Sequence, residues 1–149
     1  MTLDRFRPLA DRALSPLVSG FARVGLGPNG VSVLAVVLAF GAGGAFVLAG
    51  ADPRLYAVGA ALVFLNGVLD LVDGALAREL GADSAAGDLL DHVLDRYADI
   101  VVVAGLAAGV ERYALGFAAI TGVLMTSYLG TQAQEIGRAS CRERVYCEV

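Results

Sequence analysis

The chain is short of charge. Charged residues make up 17% of its 149 positions and hydrophobic residues 57%, with a mean hydropathy of +0.68. Soluble domains are nearer a quarter charged, so the composition excludes that class and points to a single integral membrane domain. Lysine is absent, and all 11 basic residues are arginine. A formal net charge of −4 leaves no basic face for nucleic acid, which is excluded as a partner. The acidic, Lys-free, Ala-, Gly- and Val-rich composition suggests a GC-rich genome, such as that of a halophilic archaeon. No internal repeat or low-complexity segment stands out. No cleavable signal peptide is visible, because the residues ahead of the first apolar run are mixed and Arg-bearing.

Cysteine is confined to Cys141 and Cys147, within the last nine residues. The tail "EIGRASCRERVYCEV" breaks in charge and hydropathy with what precedes it, and "EIGRASCRERV" resembles the translation of a sequencing adapter. Residues 135–149 are therefore expected to be a non-native tail in place of the native C-terminus. No disulfide or metal pair is assigned to the two cysteines.

What the sequence has in quantity is long apolar runs. Residues 2–24 place Leu3, Phe6, Leu9, Leu14, Leu17 and Phe21 at helical spacing among arginines and aspartates, the pattern of an amphipathic helix on a membrane surface. The alternative is a soluble helix packed on a core. "GLGPNG" breaks that helix. Val31 to Ala49 is a nearly unbroken apolar span, close to the roughly 20 residues that cross a bilayer. Further spans are expected from Leu55 to Arg78, Ala85 to Val110 and Tyr113 to Gly130. The fold class is thus all-α, a polytopic transmembrane bundle. Arg5, Arg7, Arg12, Arg23 and Arg78 lie on one side and Arg54 and Arg112 on the other, which places the N-terminus in the cytoplasm.

Against this apolar background, Leu69 to Asp99 holds eight acidic residues. Residues three or four apart share a helix face. Asn66, Asp70, Asp73 and Ala77 form one such stripe, and Asp88, Asp91, Asp95 and Asp99 another. The short link between the two helices makes them antiparallel neighbours whose stripes can face each other. Ionised carboxylates inside a bundle repel and are costly to desolvate, so they either protonate or hold a cation. Clustered oxygen ligands suit Mg²⁺ or Mn²⁺. Gly74 and Gly87 leave room for a ligand to approach the backbone, and Arg78 is one turn from Asp73 with a planar fork suited to phosphate. Glu79, Asp83 and Asp88 read as loop or interfacial charges. His92 reads as a polar neighbour off the stripe, and Asp99 either extends the stripe or pairs with Arg96 or Arg112.

Asp70-Leu-Val-Asp73-Gly74-Ala-Leu-Ala77-Arg78, eight residues, then Gly87-Asp-Leu-Leu-Asp91-His-Val-Leu-Asp95 fits the pattern D-x-x-D-G-x-x-A-R-x8-G-x-x-x-D-x-x-x-D at every fixed position. It resembles the signature of the CDP-alcohol phosphotransferase family, and the helical layout extends the resemblance over residues 1–134. The resemblance implies a six-span bundle with an N-terminal surface helix, of which four spans are expected here. It further implies a membrane enzyme, a homodimer with its active site facing the cytoplasm, that moves the phosphoryl group of a CDP-linked lipid to a polar alcohol and releases CMP.

By the same resemblance, Asp70, Asp73, Asp91 and Asp95 are metal ligands of a two-metal Mg²⁺ or Mn²⁺ centre, and Asp95 is also the general base. Gly74 and Arg78 contact the CDP moiety, and Ser84 contacts the nucleotide. "PNGVS" resembles the family's P-N-x-x-T element, which makes Asn29 and Ser32 nucleotide contacts; their alternative role is helix capping. "DHVLDRYAD" resembles the inositol-phosphate branch. Gly130 and Gln132 replace bases expected to bind an acceptor phosphate, which leaves glycerol phosphate or serine as alternatives. The lipid is CDP-archaeol or CDP-diacylglycerol. An ion-coupled transporter is the rival of a different class, but it calls for midplane acids and often an inverted repeat. A prenyl-diphosphate synthase, soluble in fold, does not require the Gly and Ala-Arg positions. An inactive fragment is the remaining reading.

Overall fold

The computed structural model describes the backbone of residues 7–81 and 85–147, and the side chains of 15–81, 87 and 89–137. Among the described residues the fold is all-α and contains five helices. They are α1 (Arg7–Val24), α2 (Pro28–Leu48), α3 (Arg54–Leu80), α4 (Ala85–Gly109) and α5 (Tyr113–Cys147). The breaks have local causes. Gly25, at φ +76°, ends α1, and Pro28 opens α2 where its missing N–H is not needed. Asp52 Oδ1 accepts the Arg54 N–H at 3.0 Å at the start of α3. Gly81, at φ +60°, closes α3 by donating its N–H to the Ala77 and Arg78 carbonyls.

α2 is the hub. It packs against both α3 and α4, while α1 packs on α3 and α5 on α4. Its buried face is built of small residues, Ala35, Ala39, Ala42 and Gly43, which let neighbouring backbones approach closely. The approach to α4 is close at Gly43, Gly105 and Gly109, where glycine backbones meet the other helix. A Cβ on Gly43 would lie 2.7 Å from the Val101 carbonyl oxygen, and one on Gly105 would fall on the Gly43 backbone. Asn66 ties α3 to α2 by donating from Nδ2 to the Ala35 carbonyl at 2.8 Å. It is therefore a link between helices, and its place on the acidic stripe serves packing.

Among the described residues, three helices, α2, α3 and α5, are long and apolar enough to cross a membrane. The sequence reading counts four. α4 differs because its first half carries Asp88, Asp91, Asp95 and Asp99, and only the half from Ile100 onward is apolar. Large apolar side chains point outward, with Phe64 70% and Phe117 76% exposed, as expected of helices whose solvent is lipid. α1 is not detached from this bundle. Val18 is buried in a cluster with Val31, Val72 and Leu76, and Phe21 packs at its edge. α5 crosses position 135 without a break.

The α2–α4 contact generates a prediction. Gly105→Leu inserts side-chain atoms where the Gly43 backbone sits and destabilises the bundle by about 1–3 kcal/mol or more. Gly44→Leu, where nothing lies within 4 Å, leaves it nearly unchanged. Thermal unfolding of both variants in detergent, followed by monodispersity on size exclusion, measures the difference.

Candidate metal and active site

α3 and α4 make little direct contact with each other among the described residues; α2 holds each of them separately. Their acidic stripes nonetheless meet. Asp70 of α3 and Asp91 and Asp95 of α4 each present a carboxylate oxygen, and the three oxygens lie within 4.8 Å of one another. Asp91 and Asp95 are half-buried and Asp70 is exposed. The helical spacing explains the convergence: Asp91 and Asp95 are one turn apart on one face. The two helices are thus neighbours across a cleft, with α2 as their common support.

Three carboxylates at this separation repel one another. Oxygens bound to one Mg²⁺ at about 2.0–2.1 Å sit no more than about 4.2 Å apart, so the trio closes on a divalent cation by drawing its carboxylates inward. The donor set, oxygen only, suits Mg²⁺ or Mn²⁺. The residues present therefore fit such an ion.

Asp73 occupies a different place. It is buried, and its Oδ2 accepts a hydrogen bond from Ser32 Oγ at 2.8 Å. The expected set of four thus divides into three convergent oxygens and one carboxylate tied to the N-terminal end of α2. Ser32 does not cap α2. The N-cap is Gly27, with no side-chain bond, and Asn29 is exposed in the first turn. Asp99 stands apart from the trio and pairs with Arg96, Oδ2 to Nη1, at 3.0 Å. His92 is exposed. Ser84 lies outside the described residues.

Gly74 adjoins the site, and the bundle itself does not require a glycine there. A Cβ at that position would meet only Arg78 Nη1, at 3.6 Å, an ordinary contact. Arg78 lies in the last turn of α3 and, with Ser15 and Glu79, lines a cavity of about 340 Å³ between α1 and α3. A second cavity, of about 530 Å³, opens between α4 and α5 and is lined by Arg96, Thr126 and Ser127 among others. Sequence reasoning missed Thr126 and the bond from Ser32 to Asp73. Ala119, Gly122, Val123 and Thr126 recur at helical spacing on one face of α5, a signal that a small-residue stripe ending in hydroxyls would have provided.

Residues 26–139 match the family model for CDP-alcohol phosphatidyltransferases. The chain is 32% identical over 136 residues to an archaetidylinositol phosphate synthase of Methanothermobacter thermautotrophicus, covering 91% of this chain and 66% of that protein. It is 42% identical over 106 residues to a bifunctional IPC transferase and DIPP synthase of Rubrobacter xylanophilus, covering 69% of this chain and 23% of that one. Its structure is similar to the crystal structure of Mycobacterium tuberculosis phosphatidylinositol phosphate synthase in complex with manganese and citrate. The TM-score is 0.68 at 29% identity, covering 82% of this chain and 60% of that chain.

The crowding of the trio has a measurable consequence. In chelator, Asp70→Asn removes one of three mutually repelling charges and raises stability by about 0.5–2 kcal/mol, the trade expected where a site is strained for function. Melting curves in excess EDTA check it; a lower melting temperature than wild type contradicts it.

Proposed function

We propose that this chain, which belongs to the CDP-alcohol phosphatidyltransferase family, transfers the lipid-bearing phosphoryl group of a CDP-linked lipid to inositol phosphate and releases CMP. The observation that carries the proposal is the convergence of Asp70, Asp91 and Asp95 from two helices onto one point. Asp70, Asp73, Asp91 and Asp95 hold the divalent cations. When bound, Mg²⁺ or Mn²⁺ neutralises the pyrophosphate and polarises the phosphorus under attack.

The chain's own residues do the rest. Arg78 offers its guanidinium fork to the CDP moiety, and the gap over Gly74 lets that moiety approach the α3 backbone. Asn29 and Ser84 contact the nucleotide. Asp95 takes the proton from the acceptor hydroxyl. The alcohol oxygen bonds to the lipid phosphorus, the bond from that phosphorus to the CMP oxygen breaks, and CMP leaves. Positioning and charge stabilisation supply most of the acceleration in such a transfer.

The acceptor assignment is supported by the D-R-x-x-D segment Asp95 to Asp99 and by the names of the archaeal and mycobacterial relatives. Arg96, next to Asp95, lines the α4–α5 cavity with Thr126 and Ser127, so a polar, phosphorylated alcohol there would compete with Asp99 for the guanidinium. The distribution of arginines supports a cytoplasmic active site, and we assign the working unit as a homodimer.

Three outcomes test this reading. Membranes carrying the protein, with Mn²⁺ and CDP-archaeol or CDP-diacylglycerol, release CMP when inositol phosphate is added, and more slowly with glycerol phosphate or serine. Asp95→Asn lowers that rate by about 10²–10⁴-fold without changing the fold; full activity removes Asp95 as the base. Gly74→Ala melts like wild type but raises KM for the CDP-lipid, because the added methyl makes only an ordinary contact with Arg78 in the protein and crowds the bound ligand.

A further inference from the structure

Among the described residues, the buried polar side chains are two, Ser32 and Asp73, at 8% and 4% exposure. They are bonded to each other at 2.8 Å although 41 residues separate them. The apolar cluster of Val18, Val31, Val72 and Leu76 lies at this end of the bundle. Alanine would serve the packing there equally well, so the packing does not account for the hydroxyl.

The hydroxyl has two acceptors in reach, Asp73 Oδ2 at 2.8 Å and the Pro28 carbonyl at 3.2 Å. It carries one hydrogen. The carboxylate is the nearer acceptor, and a bond to an ionised group is about twice as strong as a neutral one. A buried carboxylate without such a donor is costly. The Pro28 carbonyl is the ordinary fallback for a serine inside a helix, which bonds its own backbone one turn back.

We propose that Ser32 is a positioning residue for the metal centre. By tying Asp73 Oδ2 to α2 it fixes the carboxylate's rotamer and leaves Oδ1 as the ligand atom for Mg²⁺ or Mn²⁺. This assignment rests on the reading of Asp73 as a metal ligand, and it takes Ser32 out of the nucleotide contacts. Outer-shell donors that orient a ligating carboxylate tune metal affinity strongly. The anchor is the same helix, α2, that supports both α3 and α4, so the ligand geometry is referenced to the hub of the bundle.

The test is Mn²⁺ binding to the purified protein in detergent, followed by electron paramagnetic resonance with no nucleotide or lipid present. Wild type is compared with Ser32→Ala, Ser32→Thr and Asp73→Ala, each with its melting curve. Ser32→Ala is expected to weaken Mn²⁺ binding by about tenfold, the lower end of what loss of an outer-shell partner does. Ser32→Thr keeps the hydroxyl and restores most of the affinity, and Asp73→Ala weakens it at least as much as Ser32→Ala. Wild-type affinity in Ser32→Ala beside a weakened Asp73→Ala overturns the positioning role while leaving the metal reading intact. Unchanged Mn²⁺ affinity with a raised KM for the CDP-lipid overturns it in favour of a nucleotide contact. Equal losses in the alanine and threonine variants, tracking a lowered melting temperature, overturn it in favour of packing. Wild-type affinity in Asp73→Ala shows instead that the metal reading of Asp73 is at fault, and the role of Ser32 falls with it.

Discussion

Mutual repulsion of carboxylates in an apolar bundle is the constraint around which this molecule is arranged. Asp70, Asp91 and Asp95 bring three oxygens within 4.8 Å of one another in a chain whose charged fraction is low. Such a cluster persists only where the scaffold holds it or a cation relieves it. The scaffold's answer is α2. Its alanine and glycine face lets α3 and α4 seat on it from two directions, so the acidic stripes are held across a cleft.

The same constraint explains the distribution of size and polarity. Small residues line the contact between α2 and α4, where Gly43 and Gly105 allow backbone contact, and many large ones, such as Phe64 and Phe117, face outward. In a soluble protein this arrangement would expose an unsustainable apolar surface. In lipid the outward face carries no penalty, and close backbone approach at small residues supplies the packing. α4 is the exception among the long core helices. Its first half carries the acidic residues of the site, and its apolar second half packs on α2 through Val101 and Gly105.

Much of this was legible in the sequence because helical spacing is a strong signal. Asp70 and the pair Asp91 and Asp95 were placed on facing stripes from intervals of three and four alone. Glycine and proline at 25–28 and the short links mark the boundaries of α2, α3 and α4 to within a few residues, whereas α5 runs on to Cys147, well past the expected end near Gly130. What spacing does not encode is which neighbour a helix chooses. The short connection makes α3 and α4 neighbours with facing stripes, but it does not reveal that α2 is the common support of both. Asn66 and Asp73 share a stripe with Asp70, yet one bonds the Ala35 carbonyl and the other bonds Ser32. Those partners lie 31 and 41 residues away, beyond the reach of any local pattern. Asp99 shows the opposite case, since its partner Arg96 is one turn back on its own helix.

The central claim is that the carboxylates of α3 and α4 exist to hold divalent cations. It is tested most directly by anomalous diffraction from crystals of the protein grown with Mn²⁺. The account predicts anomalous density within coordination distance of Asp70, Asp91 and Asp95 carboxylate oxygens. Clear density for these side chains with no anomalous peak between them, in crystals saturated with Mn²⁺, would contradict it.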